Sequence, residues 1–289
     1  IRYRKRRFMP LTIGTNIGAL WACAAITSHQ RGAETAMARL ASGKRINSSA
    51  DDPAGVAIAS RMNSEIRSTS QAIRNALDGQ ALLDTAEGGH KEVENILQRM
   101  REIAVQAAND TNSAQDRDNL NAEMKALSTE IDRISSVTSW AGQNLMGEGR
   151  SQFSFQVGTS INAKSAITVP INSMSANTLS VDHAAVSVNG PEASRSAISA
   201  IDGAITLVNS QRSMLGATSN RLSYAVNNLT NVSNNLTAAL GRIQDADYAA
   251  EITALAKHQI LQKAAMAMLA QANASKGYIL TLLRSLNKI

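Results

Sequence analysis

Aromatic side chains make up only 3% of this 289-residue chain. A core with so few rings has to be built from Leu, Ile, Val, Met and Ala, which suits long, closely packed helices better than a pocket lined with aromatic faces. Cysteine is scarcer still. Cys23 stands alone, so no internal disulfide can hold the fold, and no Cys/His cluster has the spacing of a zinc site. No apolar run is long enough to span a bilayer, and the first eight residues are not followed by the apolar core of a secretory signal peptide, so any export is expected to use another route. A glycine-rich phosphate loop, a nucleophile with an oriented base and a metal motif are also missing. The chain is therefore expected to be no enzyme and to carry no cofactor.

Positive charge is present but localised. Arg2, Arg4, Lys5, Arg6 and Arg7 supply five cations at the tip, so of a net charge of +6 only +1 remains for the rest of the chain. A near-neutral body excludes an extended phosphate-binding face, and nucleic acid is not an expected partner.

What the chain does have is helical spacing of its apolar residues, with 44% hydrophobic content to fill a core. Val93, Ile96, Leu97, Met100, Ile103 and Ala107 share one stripe. Leu120, Met124, Leu127, Ile131, Ile134 and Val137 alternate steps of four and three, as in a coiled-coil seam. A longer seam runs through Ile198, Ile201, Ile205, Val208, Leu215, Leu222, Val226, Leu229, Val232, Leu236, Leu240 and Ile243, with Arg212 and Ser219 at its two gaps. Unbroken, it predicts a helix of roughly 69 Å at about 1.5 Å per residue, which needs partners along its apolar stripe. The stripes of the first half are the available ones, so both ends of the chain are expected to build one coiled-coil rod.

Boundary signals agree with this reading. Asp52 and Pro53 suit an N-cap and first helical residue, and Ser113 with Asp116 resembles a capping box after a break near Asn109 to Asn112. Between the helical halves, Phe153, Phe155 and Val157 alternate with polar residues, as do Ile167, Val169 and Ile171; this predicts a β-hairpin. Residues 173 to 195 show only a weak preference. Leu11 to Leu40 and Ile252 to Leu286 are alanine-rich helices with few large apolar patches, expected to be mobile in a monomer and to gain stability on assembly. His29, His90, His183 and His258 are scattered without carboxylate or cysteine partners at useful spacing and read as solvated surface positions.

The run from Gln98 through Arg99, Met100, Arg101, Glu102, Ile103, Ala104, Val105, Gln106, Ala107 and Ala108 to Asn109 closely resembles the signature of bacterial flagellins. Leu40 to Asn47 with Asp51 and Asp52 resembles that family's N-terminal connector. Ile243, Gln244, Asp245, Ala246, Asp247, Tyr248, Ala249 and Glu251 resemble its C-terminal counterpart, and Ile279 to Arg284 its Leu-rich ending. The resemblance implies a mainly α fold: a long helical rod formed by both chain ends, a small β-hairpin, and terminal helices pairing in the inner filament core. The domains would be a basic extension at 1–8, an inner-core helix and connector at 9–50, the rod at 51–248 with its hairpin near 151–171, and a C-terminal inner-core helix at 249–289. The chain thus resembles a minimal flagellin without outer domains, in which Trp21 and Cys23 stand where the family carries small or polar residues.

The function implied is that of a structural subunit polymerising with itself into the flagellar filament used for swimming. Such a subunit is secreted unfolded through type III export, without membrane insertion. Hook-associated and filament cap proteins, an export chaperone and Toll-like receptor 5 are the implied partners. Leu97, Gln98, Arg99, Ile103 and Glu123 match the positions that serve subunit packing and receptor recognition in the family, and Leu280, Leu282, Leu283 and Arg284 match its C-terminal packing segment. The alternatives are a cell-surface homologue acting as a binding module and a hook–filament junction protein.

Overall fold

A computed structural model describes residues 14–147, 151–160 and 162–286 of the chain. The basic extension at 1–8 lies outside the described residues. Helix accounts for 74% of the structure. The elements in order are α1 (Ile17–Ser42), α2 (Pro53–Ala107), α3 (Ala114–Val137), β1 (Ser139–Trp140), β2 (Gln143–Asn144), β3 (Ser151–Gln156), β4 (Ala166–Ile171), α4 (Pro191–Gln244) and α5 (Tyr248–Leu286). They form two compact units, one of the described residues up to Met62 with those from Ala238 on, the other Asn63–Thr237.

The ends of the helices are chemically marked. Asp52 Oδ1 accepts from the Gly55 amide at 2.9 Å, and Pro53 follows it as the first helical residue. At the start of α3, Ser113 and Asp116 satisfy each other's backbone amides in a full capping box. Arg117 closes the turn before it, donating to the carbonyl of Ala107 at the end of α2 and to that of Asn109, both at 3.1 Å.

In the Asn63–Thr237 unit, α2, α3 and α4 bury Leu83, Leu97, Met100, Ile103, Met124, Ile131, Ile201, Leu215 and Leu222 completely. The seam of α4 differs in detail from the expected one. Ala197, Ile201, Ala204, Val208, Gln211, Leu215, Thr218 and Leu222 are buried, whereas Ile198 and Ile205 are only partly covered and Val232 is exposed. The stripe shares four residues with the expectation but turns toward smaller and polar neighbours in the alternate positions. Gln211 explains one of them: its amide donates to the Pro170 carbonyl at 2.8 Å and accepts from Asn172 at 3.0 Å, fastening the hairpin onto α4. Likewise Val137, expected in the α3 seam, is exposed, while Ser128 and Ser135 are buried.

The hairpin pairs Phe153 with Val169 and Phe155 with Ile167, the antiparallel register expected from the alternation. Phe155 lies on α2 at Gly79, where a Cβ would come within 2.9 Å of its ring. Two further features carry no such periodic signal. β1 and β2 form a tight hairpin around Ala141 and Gly142, both at positive φ, as a two-residue type I′ loop requires. Residues 172–190 contain no helix or strand, yet bury Met174, Ala176, Leu179, Val181, Val186 and Val188. The helix α3 provides what their backbone needs: Ser128 donates to the Val181 carbonyl, and Asp132 and Asn121 accept from the amides of Ala176 and Val188.

In the other unit α1 packs along α5, with backbones closer than any two of α2, α3 and α4 manage. Small side chains permit that approach. Ala22 and Ala36 of α1 and Ala265 of α5 are buried, as is Ala59 near the start of α2, with Ile46 the one large aliphatic residue among the unit's described buried positions.

Candidate assembly surfaces

The two connectors that carry the terminal signatures meet. Gly43 ends α1 in a left-handed conformation at φ 68°, which favours glycine. This turns the chain so that Lys44 bridges Asp245, the Arg45 amide donates to the Gln244 carbonyl at 2.7 Å, and the Ala246 amide donates to the Gly43 carbonyl at 3.0 Å. The Arg45 guanidinium adds a bond to the Ile243 carbonyl at 2.8 Å, and Tyr248 donates its hydroxyl to the Leu40 carbonyl at 3.2 Å. One turn further, Arg39 and Glu251 form an ion pair at 2.9 Å. Asp51 folds the neighbouring loop by accepting from both amides of Asn47 and Ser48; the Ser48 amide foremost holds its carboxyl below the usual range. The residues shared by the two motifs therefore serve to join the beginning of the chain to its end.

Beyond that junction α1 and α5 present large apolar side chains to solvent, contrary to the expectation of few apolar patches. Trp21 is 75% exposed, Met268 68% and Ile260 66%, and Ile17, Leu20, Met37 and Ile252 are exposed as well. Between the helices runs an open groove of about 630 Å³ lined by Ile17, Trp21, Ala22, Leu261 and Met268 among others. Cys23 is exposed on the same helix.

A second surface lies on α2 and α3. Arg99 donates Nε and Nη2 to Glu123 Oε1 at 3.0 and 2.9 Å and Nη1 to Glu102 at 3.0 Å; the bond to Glu123 foremost raises its already high pKa. Gln98, Arg99 and Glu123 are exposed. Leu97 and Ile103 are not: both are fully buried beneath that face, so they support it without being available to a partner. Val105, which sequence reasoning did not single out, is half exposed beside Gln98, Arg101 and Glu102 in a shallow groove. Leu280, Leu282, Leu283 and Arg284 belong to the backbone of α5, but their side chains lie outside the described residues.

His183 is exposed as expected, but the other three histidines depart from the solvated reading. His90 is fully buried, with Nδ1 2.6 Å from the Ala86 carbonyl and Nε2 without a partner; burial pushes its pKa down. His29 and His258 are half-buried and face each other across α1 and α5. Their separation of 229 residues hides the pair from any local spacing rule. No described helix is long and apolar enough to cross a membrane.

Comparison with known proteins identifies the family. Residues 13–149 match the bacterial flagellin N-terminal helical region and residues 198–283 the bacterial flagellin C-terminal helical region. A flagellin from Halalkalibacterium halodurans is 40% identical over 251 residues, which is 87% of this chain and 92% of the relative. Polar flagellin F of Vibrio parahaemolyticus is 41% identical over 166 residues, 57% of this chain and 44% of that protein, so the chain spans less than half of this longer relative. Among solved structures, a flagellin of Bacillus cereus aligns with 30% identity over 58% of this chain and 94% of its own, at a TM-score of 0.47. A putative flagellar hook-associated protein from Vibrio parahaemolyticus shares the fold at a TM-score of 0.58 and 16% identity, covering 68% of this chain and all of that one. With both helical regions in order and a full-length relative at this identity, the chain belongs to the bacterial flagellins, structural proteins of the flagellar filament.

Proposed function

We propose that the paired terminal helices α1 and α5 are the polymerising core of this flagellin, and that the middle unit, Asn63–Thr237 and so narrower than the rod expected at 51–248, displays a second packing face at Gln98, Arg99 and Glu123. The observation carrying this reading is the disproportion on α1 and α5. They bury mostly alanine against each other while exposing Trp21, Ile260 and Met268. Exposed residues of that size, repeated along a helix pair, gain about 1.5–3 kcal/mol each when a neighbour covers them fully. Identical subunits supply such neighbours without limit when the contact is head to tail and does not close.

Purified chain is expected to extend filament seeds into helical tubes visible by electron microscopy. Trp21→Ser and Met268→Ser are expected to slow that extension while leaving the circular dichroism of the middle unit unchanged. Unimpaired growth of both variants would overturn the assignment of this face. The wider partnerships follow from the same reading: hook-associated and cap proteins at the filament ends, an export chaperone on the C-terminal helix before assembly, and secretion through type III export. Toll-like receptor 5 would read the face carrying Arg99. Arg99→Ala is expected to weaken the response to soluble monomer, because it removes the side chain that links α2 to Glu123 on α3. An unchanged response would remove the receptor from the list.

A further inference from the structure

His29 on α1 and His258 on α5 place their Nδ1 atoms 3.4 Å apart, with ring centroids at 5.6 Å and planes inclined by 46°. That separation is long for a hydrogen bond, whose N–H donors sit about 2.7–3.2 Å from their acceptors. It matches instead the edge of a tetrahedral metal site, since two nitrogens each about 2.05 Å from zinc are about 3.3 Å apart. We propose that His29 and His258 are the two protein ligands of a site for a zinc-class divalent metal ion, which clamps the beginning of the chain to its end.

The backbone is shaped for the second ring. Gly32 lies one helical turn after His29, and a Cβ there would come within 2.5 Å of His258 Cε1, 2.6 Å of Nε2 and 2.7 Å of Nδ1. The imidazole of His258 thus rests on the bare backbone of α1, where only glycine leaves it room, and this contact holds its Nδ1 toward His29. Both rings are half-buried, so solvent reaches the pair and water can complete the coordination. Among the described residues no group of three His, Cys, Asp or Glu could hold a metal ion. The site is therefore an exchangeable one with two imidazole donors, a ligand set suited to zinc, copper or nickel and not to magnesium or calcium. Metal bound to the paired helices and not to the separated ones stabilises the pairing by mass action.

The test is zinc uptake. Untagged protein, both as monomer and as seeded filaments, is held at equilibrium dialysis against a fixed concentration of zinc chloride, and the metal on the protein side in excess of the buffer is counted by atomic absorption. The wild type is expected to retain about one zinc per subunit in at least one of the two forms, and H29Q and H258Q well under half of that. G32A keeps both donors but blocks the ring's seat, and is expected to lose uptake with its helicity intact. Zinc should also raise the melting midpoint of the wild-type form that binds it, reversibly with chelator, and leave that of H29Q unmoved. Wild type without bound zinc in either form would reduce the pair to a weak imidazole contact and overturn the proposal. Uptake by H29Q or H258Q equal to the wild type would overturn it too, by locating the metal elsewhere. Full uptake by G32A would overturn the part assigned to the glycine.

Discussion

The two units bury helix stripes of the same kind with opposite materials. The middle unit fills its core with Leu97, Met100, Ile103, Met124, Ile131, Leu215 and Leu222, all fully covered. Among its described residues the terminal unit buries Ala22, Ala36, Ala59 and Ala265 with Ile46, and leaves Trp21, Ile260 and Met268 outside. A buried leucine removes about 1.5–3 kcal/mol worth of apolar surface from water, and an alanine much less. Close approach of α1 and α5 therefore comes at the expense of self-sufficiency. The middle unit has what it needs to stand alone, whereas the terminal unit has its best hydrophobic contacts still to make, which is the division of labour a polymerising subunit requires.

The largest expected effect tests that division directly. Leu97→Ala should destabilise the middle unit by about 2–5 kcal/mol, because it empties a fully packed site. Met268→Ala in the terminal unit should change the unfolding of the free chain by no more than about 0.5 kcal/mol, since it removes a side chain that is already in water. The ranking should reverse for filament growth, where Met268→Ala is the damaging one. Urea unfolding and seeded extension of the two variants measure both halves; equal losses of monomer stability would end the comparison.

Next come the ion pairs. Arg212 on α4 binds Glu87 at 2.7 Å and also Glu94, and is 28% exposed; Arg39 in the terminal unit is equally exposed but has the single partner Glu251. Arg212→Ala strands two carboxylates beside each other and is expected to cost about 1–3 kcal/mol, less than a fully buried pair because solvent still screens it. Arg39→Ala strands one and should cost less. Equal effects in denaturant melts would mean that the second carboxylate contributes nothing.

Much of this was legible from residue spacing, and the exceptions have physical causes. The Asp52 and Ser113 caps, the hairpin register, the apolar stripe of α2 and most of the four-and-three steps of α3 are local patterns, written in neighbours a few residues apart. The α4 seam is displaced because Gln211 and Thr218 are polar by composition yet buried; Gln211 bonds the Pro170 carbonyl, a partner 41 residues away. Residues 172–190 escaped notice because their burial depends on Ser128, Asp132 and Asn121 of α3, with no period of their own. In the candidate surfaces, the signature around Arg99 marked the correct helix but could not separate exposed Gln98 from buried Leu97. The meeting of the two connectors, 198 residues apart at Arg45 and Ile243, follows from topology alone.

A smaller effect is carried by pH. His90 replaces an apolar side chain in the middle core with a ring whose Nε2 is unpaired, and burial holds its folded-state pKa below the ordinary value. The unfolded chain therefore takes up this proton first. Stability due to neutral His90 is complete above about pH 6.5 and declines as the pH falls from there toward the depressed folded pKa. His90→Leu should flatten that decline, visible as a smaller loss of unfolding free energy between pH 7.5 and pH 5.5.

The smallest expected change concerns how α3 begins. Ser113→Ala removes the oxygen that accepts from the Asp116 amide and should cost the middle unit about 1 kcal/mol or less. Asp116 loses the Ser113 hydroxyl in the same step and keeps the backbone amide of residue 113. Its carboxyl is held below the usual range first by the Ser113 hydroxyl and then by the Ser113 amide, so its contribution is present above the unfolded carboxylate range and lost as pH falls through the depressed value. The variant should consequently lose stability at pH 7 and differ little from wild type in strong acid. In the terminal unit Asn16 does more than cap: its oxygen accepts from the Ala19 amide while its amide donates to the Ala272 carbonyl on α5 at 3.0 Å. A cap that also crosses to the partner helix should matter to pairing as well as to helix initiation. Asn16→Ser, which keeps the cap and gives up the crossing, is therefore expected to slow filament growth, whereas Ser113→Ala is not.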